Sequence, residues 1–416
     1  MGEEEDRGGW TWEGVAEIDA VPTTPSLLYG NLVGSTDGLV AYCSGARVSV
    51  LRVPAATPVP PGAEGAVQGE QAPLVAAATL QHGGRGVFAM TALVVRAPND
   101  NGGSSGSAVL VTATTRAVEF FLLPAAGSGD ARAVPLCATP LTEAPATPFA
   151  RRMARGLTAL PLGPRDVLVL AGTATGVVLA HTIRFPEDGA STPSPVFIVP
   201  GPALQTPCSA ITCLAVPPPP AGDGGEYGNG NNTRWLCADD EGCICVYERA
   251  VTAGTSGTAS TGTQPATCTV LGWERVAVFA ATGVPCTAAA FVAGLGRGTH
   301  VAAAYASGHV RVLSLTTNSV VAEIAAHSRP VTALAAHPRR PLVVSVSEDA
   351  WARAWALTPR QPHGIDVAQP WCAFMPYTMW TGVCLLPRAH DPAHCDICCV
   401  AYDLPALFAF RARSPS

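Results

Sequence analysis

Short apolar runs rich in Val, Leu, Ala and Thr recur along the whole chain, separated by clusters of Gly, Pro, Ser and Asp. Runs of this length bounded by turn formers predict strands joined by turns, so the leading class is all-β. The runs group into compact triplets at about 27–53, 88–123, 156–185, 208–248, 284–315, 329–357 and 379–412. Each triplet is preceded by one more strand-like run: Val15–Ile18, Leu74–Ala77, Ala133–Leu136, Val196–Val199, Val276–Phe279, Val320–Ile324 and Trp371–Phe374. Four strands repeated at a period of about 40 residues predict a ring of stacked sheets, because one such sheet cannot bury both faces until neighbours cover it. Seven such groups over residues 14–413 therefore predict a single seven-bladed β-propeller, and the acidic residues 1–13 a flexible N-terminus. The first run and the last triplet, ending at Phe408 and Phe410, would lie side by side if the ring closes through its termini.

The repeat length wanders because of low-complexity insertions at 54–73, 97–107, 217–233 and 252–266, including Pro217-Pro218-Pro219-Pro220 and Thr255-Ser256-Gly257-Thr258. Such compositions support no core and are expected as mobile loops on the rim.

Composition narrows the chemistry. With 48% hydrophobic and 13% charged residues and mean hydropathy +0.26, the chain has apolar material for a large core. No apolar run reaches the roughly 18–20 residues of a membrane span, and Met1-Gly2-Glu3-Glu4-Glu5-Asp6 is acidic where a signal peptide is basic, so a cytoplasmic protein without membrane contact is expected. The 25 basic residues are all Arg. Without Lys, a Walker-type phosphate loop, a protein-kinase site and a Schiff-base nucleophile are excluded in their usual form. Net charge −6 and scattered Arg argue against a nucleic-acid surface.

Fourteen cysteines without an export signal read as small core hydrophobes, Cys237, Cys243 and Cys245 among them. Cys395-x-x-Cys398-Cys399 has no second CxxC or HxxxH partner, and in a strand Cys395 and Cys398 point to opposite faces, so no metal or cofactor is expected. Asn231-Asn232-Thr233 matches a glycosylation acceptor only by chance in that compartment.

The most specific stretch runs Ala325-Ala326-His327-Ser328-Arg329-Pro330-Val331, then Leu342-Val343-Val344-Ser345-Val346-Ser347-Glu348-Asp349-Ala350-Trp351-Ala352-Arg353-Ala354-Trp355. It resembles a WD repeat, whose His, Ser or Thr, Asp and Trp form a hydrogen-bonded tetrad; the matching positions are His327, Ser345, Asp349 and Trp355. Imidazole, hydroxyl, carboxylate and indole can satisfy one another, which removes the cost of burying each alone. His, Ser and Asp are also the residue types of a hydrolase triad, but this Ser lies within an apolar strand and not on an exposed elbow. The other units are degenerate: the fourth has Tyr247 in the Trp place and Glu241 in the turn-Asp place, and the fifth keeps only the turn at Ser307-Gly308.

The resemblance implies a non-catalytic scaffold that binds other proteins, in a cytoskeletal or ciliary assembly, or else an architectural subunit permanently built into a filamentous or axonemal complex. Exposed aromatics and Arg near strand ends are the expected contacts: Arg329, Trp351, Arg353, Tyr377 and Trp380. Trp351 and Trp380 could equally fill gaps between blades. A central-channel enzyme needs convergent acids, His or metal ligands, whereas the first strand of each triplet is apolar or small, as in Ser209-Ala210-Ile211-Thr212-Cys213-Leu214. The glycines of Gly294-Leu295-Gly296-Arg297-Gly298 are followed by no helix, so a nucleotide fingerprint fails on context and no small-molecule substrate is expected.

Overall fold

The computed structural model describes residues 11–12, 17–35, 38–53, 75–81, 89–96, 108–124, 132–141, 154–186, 196–218, 234–249, 269–270, 272–296, 298–360, 364–388 and 391–413. Residues 1–10 and 13 of the acidic N-terminus, Val15, Ala16, Leu74, the glycosylation-like triplet and nearly all of the four low-complexity insertions lie outside the described residues, whereas Thr11–Trp12, expected to be flexible, form a strand. Every regular element within them is a strand.

Apart from one two-stranded clasp, the described strands form seven antiparallel sheets arranged as the blades of a propeller. The first blade comprises Val33–Gly34, Leu39–Ser44, Arg47–Arg52 and Val75–Gln81, and the second Ala89–Arg96, Ala108–Thr114, Ala117–Leu122 and Val134–Pro140. The third has Ala154–Pro161, Asp166–Thr173 and Val177–Arg184, with Phe197–Pro200 and Leu204–Gln205 sharing its last edge. The fourth has Ile211–Ala215, Arg234–Asp239, Ile244–Arg249 and Trp273–Phe279, with Thr269–Val270 outermost. The fifth runs Cys286–Phe291, His300–Tyr305, His309–Ser314 and Ser319–Ala325, and the sixth Val331–Ala336, Leu342–Ser347, Trp351–Pro359 and Ile365–Phe374. The seventh joins Trp380–Arg388, Asp391–Ala401 and Ala406–Phe410 to Glu17–Ala20 from the other end of the chain.

Closure follows from that last pairing, in which Glu17 meets Ala409 and Ile18 meets Phe408. A second clasp pairs Thr11–Trp12 with Ala412–Arg413, and the Trp12 indole donates to the Cys395 carbonyl at 2.9 Å. The grouping into four strands is therefore displaced by one from the sequence repeat. The run preceding each triplet is the outer strand of the previous blade, and the first such run completes the last. This offset ties every blade covalently to its neighbour.

Burial explains the sequence pattern. Second strands such as Ala108–Thr114 and Leu342–Ser347 are covered along their whole length by neighbouring blades, which is why they read as continuous apolar runs. Outer strands such as Val134–Pro140 and Ser319–Ala325 are largely open and alternate poorly. The innermost strand carries a bulge near its start in each blade from the second to the seventh, for instance between Ile211 and Cys213 and between Val331 and Ala333. A bulge adds twist and bends the strand, here at the same place in each repeat. Among the described residues, seven apolar clusters fill the seven junctions between blades.

Candidate functional site

The sixth blade assembles the tetrad within hydrogen-bonding distance. The Trp355 indole donates to Ser345 Oγ at 2.9 Å, and Ser345 Oγ lies 2.8 Å from His327 Nε2. His327 Nδ1 lies 3.0 Å from one Asp349 oxygen and 3.2 Å from the other. An indole nitrogen only donates, so one proton arrangement satisfies every member: Trp355 N–H to Ser345, Ser345 O–H to His327 Nε2, and His327 Nδ1–H to Asp349. Asp349 also accepts the backbone N–H of Ser328 at 3.0 Å and of Trp351 at 3.1 Å. Burial works to raise its pKa, but the His327 bond and these amides outweigh it and hold the carboxyl down to about 2. Ser345 is wholly buried beneath the indole, so this trio has no substrate access and serves as a brace between loop and sheet.

The loop carrying His327 is held by the preceding blade. His327 N–H donates to the Gly308 carbonyl at 2.9 Å, and a Cβ on Gly308, whose φ is +85°, would stand 2.2 Å from the His327 carbonyl oxygen. The fourth blade repeats this arrangement with different chemistry. A Cβ on Gly176, with φ +76°, would stand 2.1 Å from the carbonyl oxygen of Cys208. By this contact and by strand register, Cys208 occupies the place of His327, Cys237 that of Ser345, Cys245 that of Arg353 and Tyr247 that of Trp355.

Three thiols converge there, with that of Cys237 beside one of them. Cys208 and Cys237 Sγ lie 3.5 Å apart, Cys243 and Cys245 Sγ 3.9 Å apart, and Cys208, Cys243 and Cys245 all within 4.8 Å of one another. Asp239 organises the surround: it accepts the N–H of Ser209 at 2.9 Å, of Glu241 at 3.1 Å and of Cys243 at 2.8 Å. The turn carboxylate of this blade is thus Asp239, not Glu241, because it projects from the last position of its strand while Asp349 projects from the turn itself. Hydrogen bonds shared with Cys237, Cys243 and Cys245 lower the Cys208 thiol, and those with Cys208, Cys237 and Cys243 raise that of Cys245. Trp235 stacks on Tyr247 at 4.2 Å and closes the apolar side of the cluster.

Of the residues expected on a binding face, Arg329 and Tyr377 are exposed, Tyr377 completely at 104%. Trp351 is half-buried, its ring 4.9 Å from Phe374 and 4.8 Å from the Arg353 guanidinium. Trp380 is a correction. It is wholly buried at the junction of the sixth and seventh blades, with its ring 5.0 Å from Phe408 in an edge-to-face contact, because it opens an innermost strand. Sequence reasoning also missed Phe374 and Tyr402, which are 51% and 44% exposed. Cys398 faces Cys384 between the seventh and first blades whereas Cys399 faces the sixth, so the CxxCC segment does not converge.

No family model matches the chain. It is 29% identical to WD repeat domain 54 of Rattus norvegicus over 181 residues, and 28% identical to WD repeat-containing protein 54 of Mus musculus over the same length. Each match covers 42% of this chain and 44% of the relative, so the chain spans under half the length of the curated relatives it matches. Among solved structures, a chain of the mitotic checkpoint complex superposes with TM-score 0.58 at 11% identity, covering 99% of this chain and 95% of that one. Raptor of Chaetomium thermophilum gives the same TM-score and identity over 98% of this chain and 29% of its own. Seven blades, a hydrogen-bonded His-Ser-Trp-Asp set and these likenesses together identify the fold as that of the WD-repeat β-propellers.

Proposed function

We propose that the chain is a non-catalytic protein-interaction scaffold whose contact face is the end of the sixth and seventh blades formed by residues 326–330, 348–351, 374–379 and 401–405. The observation that carries this reading is a pre-organised aromatic and arginine surface on those segments. Tyr377, Phe374 and Tyr402 are open, and Trp351 sits between Phe374 and Arg353. Rigid aromatics and Arg concentrate binding energy in protein interfaces, and an Arg over an indole contributes about 0.5–1 kcal/mol at exposed sites. The backbone supports it too. Of four non-glycine residues with positive φ among those described, Ala350, Tyr377 and Asp403 lie on this face. Such conformations cost about 1–3 kcal/mol each and cluster where the surrounding structure holds a functional surface in place.

Tyr29 donates to Glu348 at 2.6 Å, and Gly30 N–H bonds the Thr332 carbonyl. This anchors the segment before the first blade against the face. Burial and the Glu348 carboxylate push the Tyr29 hydroxyl up to about 12, so the bond persists at neutral pH. A cytoskeletal or ciliary setting is part of the proposal.

The test is affinity capture of the tagged protein from its native cells, compared with a Trp351→Ala/Arg353→Ala double variant of equal thermal stability. The expected result is a defined set of cytoskeletal or ciliary proteins lost in the variant. Retention of the same set by the variant would remove the face from the account.

A further inference from the structure

The cluster of Cys208, Cys237, Cys243 and Cys245 lies far from the proposed contact face and plays no part in it. We propose that these thiols form a zinc site at the junction of the third and fourth blades, with Cys208, Cys243 and Cys245 as ligands and Cys237 beside Cys208 at its edge.

Distances are the first argument. A tetrahedral ion with metal–sulfur bonds of about 2.3 Å holds its sulfurs about 3.8 Å apart. The Cys243–Cys245 separation of 3.9 Å matches that value, the three sulfurs of the trio lie within 4.8 Å of one another, and 3.9 Å is far beyond the roughly 2.05 Å of a disulfide. Convergence is the second. Among the described residues this is the one group of metal-ligating side chains whose donor atoms converge in threes.

The surround is the third argument. Cys208 comes from the loop before the blade, Cys237 from its second strand, and Cys243 and Cys245 from the next turn and strand. Asp239 grips the amides of Ser209 and Cys243, one on each side of the cluster, and so fixes the loop and the turn relative to each other. Thr206 adds to this: its hydroxyl donates to the Gly176 carbonyl at 2.7 Å and accepts the Cys208 N–H at 3.2 Å. Outer-shell bonds of this kind orient ligands and set affinity. Cys243 is only half-buried, which leaves an entry path from the turn. Binding exchanges protons for metal: each coordinated thiol gives up its proton to solvent, and no oxidation state changes.

The experiment uses the purified full chain, loaded with Zn2+ under reducing conditions, dialysed and assayed for bound metal by mass spectrometry, with Co2+ substitution to read thiolate-to-metal charge transfer. About one ion per chain is expected, with tetrahedral cobalt bands. Cys208→Ser/Cys245→Ser should lose the ion, Asp239→Asn should weaken it about 10–100-fold against a chromophoric chelator, and the exposed Cys372→Ser should leave it unchanged. Should the double variant fail to fold, alkylation of the unaltered protein decides: Zn2+ must protect Cys243, and a chelator must expose it. No retained metal, ion content unchanged in a folded double variant, or alkylation of Cys243 indifferent to Zn2+ would overturn the site.

Discussion

The sixth and fourth blades build the same junction from different atoms. In the sixth, an imidazole, a hydroxyl, an indole and a carboxylate are joined by hydrogen bonds, with His327 held against the turn of the blade before it. In the fourth, the loop, its glycine contact and the carboxylate-capped turn persist, but thiols replace the imidazole and the hydroxyl and a tyrosine replaces the indole. The scaffold of the junction is thus separable from the chemistry within it. A hydrogen-bonded set is self-sufficient, whereas a group of thiols makes only weak bonds to itself and gains most from a shared metal.

The largest expected break is His327→Ala, which leaves Ser345 and Asp349 buried with a partner missing. A loss of about 3 kcal/mol is expected by chemical denaturation, and Ser345→Ala should cost less because Asp349 keeps its imidazole. Asp239→Ala comes next, at about 2 kcal/mol, since three turn amides lose their acceptor. A much smaller loss would mean that the two loops of the fourth blade are held by something other than this carboxylate.

Acid should separate two contributions in sequence. His181 is buried, with Nε2 at 2.9 Å from Thr139 Oγ1 and Nδ1 without a partner among the described residues, and desolvation depresses its pKa from 6.5 to about 4. The unfolded chain therefore binds the extra proton first, and stability falls as pH drops from about 6.5 towards 4. His181→Gln should flatten that limb. Asp349, depressed from 3.8 to about 2, contributes stability that is present above the first value and lost as pH falls through the second. His327→Ala should remove that later limb and leave the earlier one, as read from unfolding midpoints across pH.

The smallest effect on stability is expected on the contact face. Tyr377 is open and carries φ +60°, so Tyr377→Gly relieves strain and should change stability by less than about 1 kcal/mol while still weakening partner capture.

The ring and the tetrad were legible because both rest on local signals: a strand period, and four polar residue types at set places in one repeat. The closing pair of Glu17–Ala20 with Ala406–Phe410 was legible as one way to close the ring, but the assignment of every preceding run to the previous blade was not, since it depends on pairing that strand period alone does not fix. The thiol cluster was hidden for a different reason. Cys in an apolar strand reads as a small hydrophobe, and Cys208 meets Cys237 across 29 positions only after the loop folds back. Trp380 was open to both a contact and a gap-filling reading because it lies beside a turn; that turn leads into an innermost strand, where a large ring has a junction to fill.

The most direct test of the contrast between the two blades is thermal unfolding with and without a strong chelator, for the unaltered zinc-loaded protein, Cys208→Ser and Ser345→Ala. Chelation should lower the midpoint of the unaltered protein and of Ser345→Ala by similar amounts and leave Cys208→Ser unmoved. A midpoint indifferent to chelator in all three, or lowered equally in all three, would contradict the account.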